Sequence, residues 1–248
     1  MTEGSWTKMS LSYIKENTER IRERIRQAER LAGRPEGSVQ MIAAVKYAQP
    51  EELAALCSET EIRDLGENRV QQLLSHYESL PNPGDYRWHF IGSLQTNKVK
   101  YLIDKVCMIH SLDSLRLAEE IEKQAAKRGI IMDVLVEINS GEEESKGGLM
   151  PHETEEFCLS LRQFSHLNHR GFMTMAPKCD EKSEYLKYFQ QTYQQVLDIW
   201  TKKLHNIGRP ILSMGMSESF EEAIACGSDM VRVGRGLFVR ESEEGKNK

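Results

Sequence analysis

The chain has 248 residues, 39% of them hydrophobic and 29% charged, the make-up of a folded globular protein and not of a disordered one. Its 33 Lys and Arg against 38 Asp and Glu leave a net charge of −5, opposite in sign to the basic excess of a general nucleic-acid binder. No apolar run approaches the roughly 18–20 residues that cross a bilayer, and residues 1–10 have no apolar signal core, so a cytoplasmic protein without a membrane partner is expected.

In chain order, residues 1–9 read as a tail and 10–32 as an amphipathic helix. Leu11, Ile14, Thr18, Ile21, Ile25 and Ala28 recur at spacings that place one stripe on a helix, and Gly33 with Pro35 ends it. Eight short apolar runs follow as candidate strands: 39–45, 62–65, 86–91, 106–109, 132–138, 167–175, 211–214 and 230–233. Helical spacing fills 50–58, 68–79, 96–103, 114–128, 152–164, 183–205 and 219–226. Residues 81–85 mark a loop, and the polar stretch 241–248 reads as a second tail. Runs such as DVLVEI look like strands buried on both faces. Seven strand–helix alternations predict an α/β fold. Eight strands in about 200 residues fit a single closed (β/α)8 TIM-type barrel over 10–240, with an open doubly wound sheet as the alternative.

The five cysteines are scattered and never form C-x-x-C, so buried reduced thiols are expected instead of disulfides or zinc. His166 and His169 lie three apart with no third ligand near in sequence, and no metal is expected.

In such a barrel, chemistry sits at the C-terminal ends of the strands. The residues following the apolar runs are Lys46; Gly66, Glu67 and Asn68; Gly92, Ser93 and Gln95; Ser111 and Asp113; Asn139 and Ser140; Thr174; Ser213 and Ser217; and Gly234, Arg235 and Gly236. So many small and polar residues at one end suit a polar ligand.

Lys46 directly follows the first apolar run, where its amine can attack a carbonyl carbon, or simply snorkel to water. The turns at Ser213–Ser217 and Gly234–Gly236 offer backbone N–H groups and hydroxyls for an anion, or are ordinary tight turns. Arg232 stands between Val231 and Val233 in an apolar strand and needs a partner: a core carboxylate such as Glu67, a ligand heteroatom, or a helix carboxylate outside. A lysine for an imine, a phosphate cradle and a buried arginine together describe a site for pyridoxal 5′-phosphate.

Several segments carry a resemblance: Ile42-Ala43-Ala44-Val45-Lys46; Gly66-Glu67-Asn68-Arg69-Val70-Gln71; WHFIGSLQTNK over 88–98; SLD over 111–113; residues 139–147; GFMTM over 171–175; LSMGMS over 212–217; and VRVG over 231–234. From about residue 10 to 240 the chain resembles the pyridoxal-phosphate homeostasis protein family (YggS/PROSC-type).

The resemblance implies a barrel like the N-terminal domain of bacterial alanine racemase. It implies a Schiff base on Lys46, a phosphate site from Ser213, Ser217, Gly234 and the residue after it, and Arg232 near the pyridine nitrogen. Asn68 and Met214 would line the cofactor. Val45, Ser219 and Arg235 depart from the family, which commonly has a serine, an aspartate and a small or hydroxyl residue at those places.

The expected function is therefore a protein that carries or buffers the cofactor in vitamin B6 homeostasis. It would pass the cofactor to apo-enzymes, act as a monomer and use no catalytic residue. The alternatives are an amino-acid racemase and a lysine-imine aldolase. Against the racemase, the chain ends about fifteen residues after strand eight, leaving no further domain to supply a second base. Against the aldolase, Arg232 has no task.

Overall fold

Eight parallel strands close into a barrel in chain order, in a computed structural model that describes residues 4–143, 146–202 and 208–240. They are β1 (Gln40–Ala44), β2 (Asp64–Glu67), β3 (Arg87–Phe90), β4 (Met108–Leu112), β5 (Met132–Ile138), β6 (Leu167–Thr174), β7 (Ile211–Met216) and β8 (Met230–Val233). Strand β8 returns to β1, with Ile42 opposite Arg232 and Ala43 opposite Val233. The barrel expectation holds, and the open sheet is set aside.

The crossover helices are α2 (Pro50–Glu59), α3 (Val70–Ser79), α4 (Val99–Leu102), α5 (Leu115–Arg128), α6 (Thr154–Ser160), α7 (Lys182–Thr201) and α8 (Phe220–Ala225). Ahead of them α1 (Gly4–Leu31) begins six residues before the expected start, and residues 1–3 and 241–248 of the expected tails lie outside the described residues. The stripe of α1 is buried through Ile14, Thr18, Ile21, Ile25 and Ala28 against α2, α8 and α9 (Arg235–Phe238). Each of its isoleucines contributes about 1.5–3 kcal/mol by leaving water. Asn17 adds a tie, donating to the carbonyls of Leu237 and Val239 at 3.2 and 2.9 Å.

Side chains alternate along each strand. On β1, Ala43 joins the large core between sheet and helices, whereas Ile42 packs with Met108, Leu135, Met173 and Met230 inside the barrel. The same alternation carries Ala44 and then Lys46 inward at the end of β1. The one-turn helix α9 was not expected; Gly234 caps it where the sequence suggests only a turn.

Candidate functional site

A cavity of about 250 Å³ opens at the C-terminal ends of the strands, a little below the usual ligand-pocket range. Lys46, Asn68, Ser217, Arg232 and Gly234 all line it. Ser213 and Met214 do not.

Lys46 is half-buried, with its Nζ 4.8 Å above the ring of Tyr47. Its carbonyl accepts from Gln72 Nε2 at 2.6 Å, which ties the end of β1 to α3. Among the described residues no carboxylate pairs with the amine, so it is not consumed by a salt bridge.

The turns after β7 and β8 meet at one edge of this cavity. Gly234 N–H donates to Ser217 Oγ at 3.3 Å, leaving the serine hydrogen to donate elsewhere. The approach depends on Gly215, which has φ +92°; a Cβ there would lie 2.6 Å from the Ala223 Cβ. Ser219, at the family's aspartate position, closes the turn by accepting from Met216 N–H at 3.2 Å. Arg235 and Glu218 also line the cavity, both exposed, with the guanidinium 3.8 Å from the carboxylate. Of these groups, the Ser217 hydroxyl keeps a hydrogen to donate at the cavity's edge.

Asn68 brings a different signal. Its Oδ1 is buried and has no hydrogen-bond partner. Leaving such an acceptor unpaired costs about 1–3 kcal/mol, so a ligand donor is the natural partner. Gly92 makes this placement possible, because a Cβ there would run into the carbonyl of Asn68.

Arg232 is 4% exposed and reaches the cavity from β8. Its NH1 donates to Ser213 O at 2.8 Å and to Ser213 Oγ at 2.7 Å, and its NH2 donates to Thr174 O at 2.8 Å. Pairing with Glu67, one of the partners the sequence left open, does not occur. Glu67 points out of the barrel, where its Oε1 lies 2.6 Å from His76 Nδ1 on α3. Burial lowers the guanidinium to about 10, partly offset by Glu137, so it stays charged at neutral pH. Burial also pushes the Glu137 carboxyl up to about 7, with Asp113 adding to the rise and Arg232 opposing it.

Two expected site residues thus lie away from the cavity lining. Ser213 is fully buried beneath the cavity and holds Arg232 instead of an anion. Met214, on the opposite face of β7, packs into the core between sheet and helices. Ser213 lies inside β7, whereas Ser217 lies past the strand's end and beyond a register shift between Ser213 and Met216.

The sequence reading missed Tyr47, Met175 and Met216, which rim the cavity with large exposed side chains. Tyr47 follows Lys46 directly, and that adjacency was the available signal. Three cysteines are buried as expected, but Cys107 is exposed and Cys179 partly so, since both lie outside the strand interiors. His166 and His169 part company: His166 meets Glu122 at 2.8 Å, while His169 stacks edge-on against Phe172. A larger cleft of about 760 Å³ lies near the end of α1, but its Arg34 and Arg209 are already paired with Asp229.

The cavity therefore offers an amine without a carboxylate partner, a serine hydroxyl donor, an orphaned acceptor and a charged donor. A small ring bearing an electrophilic carbonyl, a phosphate, a hydroxyl donor and an acceptor atom would match all four.

Residues 16–241 match the family described as alanine racemase, N-terminal domain. A pyridoxal phosphate homeostasis protein of Aquifex aeolicus (strain VF5) is 41% identical over 223 residues, covering 90% of this chain and 96% of that protein. A solved structure from Bifidobacterium adolescentis, itself of unknown function, has a TM-score of 0.83 at 32% identity, covering 92% of this chain and 95% of that one. PipY of Synechococcus elongatus PCC7942, solved with PLP bound, has a TM-score of 0.76 at 28% identity, covering 88% of this chain and 100% of that one. The chain belongs to the pyridoxal phosphate homeostasis proteins within the alanine racemase N-terminal domain family.

Proposed function

We propose that this chain binds pyridoxal 5′-phosphate in the cavity and carries or buffers it for the cell. The orphaned Asn68 Oδ1 beside an unpaired Lys46 is the observation that supports this most. Lys46 condenses with the ligand's aldehyde, releasing one water, so the cofactor is held by a Schiff base. Ser217 and the Gly234 turn bind the phosphate, Asn68 accepts from the ring hydroxyl, and Arg232 donates to the ring nitrogen. When bound, such a cofactor supplies an electron sink.

The residues present favour holding over turnover. A charged Arg232 at the ring nitrogen disfavours a second positive charge there, which weakens that sink. All five cysteines are unpaired thiols, which suits the reducing cytoplasm. The acceptors of the cofactor are apo-enzymes in this reading, and the carrier acts as a monomer.

Borohydride reduction of the protein loaded with pyridoxal 5′-phosphate, followed by peptide mapping, tests the assignment. The adduct should fall on the peptide holding Lys46. Label on Lys98 or Lys146 instead would refute it; Lys146 is paired with Glu143 at 2.7 Å, and neither lines the cavity. The racemase reading is tested on the same sample. Rapid solvent deuterium exchange at the α-carbon of alanine, lost in Lys46→Ala, would favour an enzyme.

A further inference from the structure

Beneath the cavity, four buried polar side chains cross the barrel interior in single file: Ser213 on β7, His110 on β4, His89 on β3 and Asp64 on β2. Arg232 NH1 lies 2.7 Å from Ser213 Oγ, and Ser213 Oγ lies 3.1 Å from His110 Nδ1. His110 Nε2 lies 3.0 Å from His89 Nδ1, and His89 Nε2 lies 3.1 Å from Asp64 Oδ1. Arg232 lines the cavity, whereas Asp64 lines a cleft at the opposite mouth, among the N-terminal ends of β1, β2 and β3.

With both histidines neutral, the two ends of this file fix every proton between them. A guanidinium only donates, so Ser213 Oγ accepts from Arg232 and must send its own hydrogen to His110 Nδ1. His110 is then the neutral Nε2–H tautomer and donates to His89 Nδ1; His89 in turn donates from Nε2 to Asp64. The other end gives the same answer. Burial raises the Asp64 carboxyl, but the bonds from His89 and Arg87 outweigh it and hold the group down at about 2. The ionised carboxylate only accepts, so His89 must carry its hydrogen on Nε2. Burial likewise keeps His110 neutral, and the charge of Arg232 adds to the effect. Reversing the direction would set two lone pairs face to face at Asp64 and strand the Ser213 hydrogen.

We propose that Asp64, His89, His110 and Ser213 are positioning residues, a one-way donor file that pins the NH1 edge of Arg232. Both NH1 hydrogens go to Ser213 and one NH2 hydrogen goes to Thr174. The second NH2 hydrogen and the Nε hydrogen are left for an acceptor on a ligand. In the identity of that acceptor, a pyridine nitrogen, the proposal rests on the reading of the cavity given above; the proton order does not.

Long-range proton–nitrogen NMR on the cofactor-free protein at neutral pH tests the file directly. Both histidines should be neutral with the proton on Nε2, and a proton on Nδ1 of either would overturn the proposal. Binding then tests the aim. His110→Phe removes both ring nitrogens, whereas His110→Gln keeps one acceptor and one donor. The Phe variant should lose about tenfold in affinity for pyridoxal 5′-phosphate, with much of it restored in the Gln variant. Neither should weaken the analogue in which CH replaces the ring nitrogen. Equal loss for both ligands, without rescue by Gln, would make the file merely structural and refute the positioning role. Should His110→Phe not fold, Ser213→Ala cuts the first link and is judged by the same pair of ligands. Failure of the unaltered protein to bind the cofactor would instead refute the cavity reading and leave the NMR result to stand or fall alone.

Discussion

The backbone N–H of Gly234 and the hydroxyl oxygen of Ser217 lie 3.3 Å apart, which joins the turns after β7 and β8 at one corner of the cavity. Because Ser217 already accepts there, its own hydrogen is left to donate to an anion. Ser217→Ala should weaken pyridoxal 5′-phosphate about ten- to hundredfold, the worth of one hydrogen bond to a charged group. Pyridoxal, lacking the phosphate, should lose much less. Calorimetric titration of both ligands decides, and equal losses would remove Ser217 from the phosphate site.

Asn68→Ala should separate stability from binding. Deleting a buried acceptor that has no partner relieves a desolvation cost of about 1–3 kcal/mol, set against the packing lost. The cofactor-free protein should melt at or above its original temperature while affinity falls about tenfold. Marked destabilisation with intact affinity would show that the amide serves the fold.

Gly92→Ala should do the reverse. The added carbon must push against the backbone of Asn68, and overpacking of this kind costs about 1–3 kcal/mol. In a chain of this size each kcal/mol lowers the melting temperature by about 2–4 °C. Gly84→Ala, where nothing lies within reach of the new carbon, is the control and should melt normally. A variant at Gly92 as stable as the control would contradict the close approach.

Stability against pH should show two carboxylates of the barrel working in opposite directions. The Asp64 carboxyl sits at about 2 in the fold against an ordinary 3.8, so its contribution is present above about pH 4 and is lost as pH falls toward 2. The drop is on the order of 2 kcal/mol, and Asp64→Asn should lack it. Glu137, raised from 4.5 to about 7, favours the fold fully below pH 4.5, and that benefit is lost as pH rises through 7. Glu137→Gln should flatten the decline between pH 5 and 8. Denaturant melts across pH 2–8 read both; an unchanged curve in either variant contradicts the corresponding burial.

What could be read from the sequence follows from local physics. The runs 132–138 and 230–233 coincide with β5 and β8 because a strand covered on both faces is apolar along most of its length, with Asp133, Glu137 and Arg232 the exceptions here. Lys46 was legible for the same reason: a charged residue directly after such a run has to emerge at the barrel mouth. Strand β2 was placed two residues early, over 62–65, because two of its four residues are acidic. Their partners are distant, Arg87 and His89 for Asp64 and His76 for Glu67.

Composition and periodicity by themselves determined the alternation of strands and helices and the strand ends at which polar residues gather, and favoured a barrel over an open sheet until the pairing of β8 with β1 decided it. Only the tertiary structure decided which of those residues share a cavity. Ser213 and Ser217 belong to one five-residue motif, yet the first is buried inside β7 against Arg232 and the second lies past the strand's end beside Gly234. His110 and Ser213 are 103 residues apart in sequence and come within 3.1 Å of each other. No local pattern encodes that contact, because it exists only once the barrel closes and turns the inward faces of β3, β4, β7 and β8 toward one another.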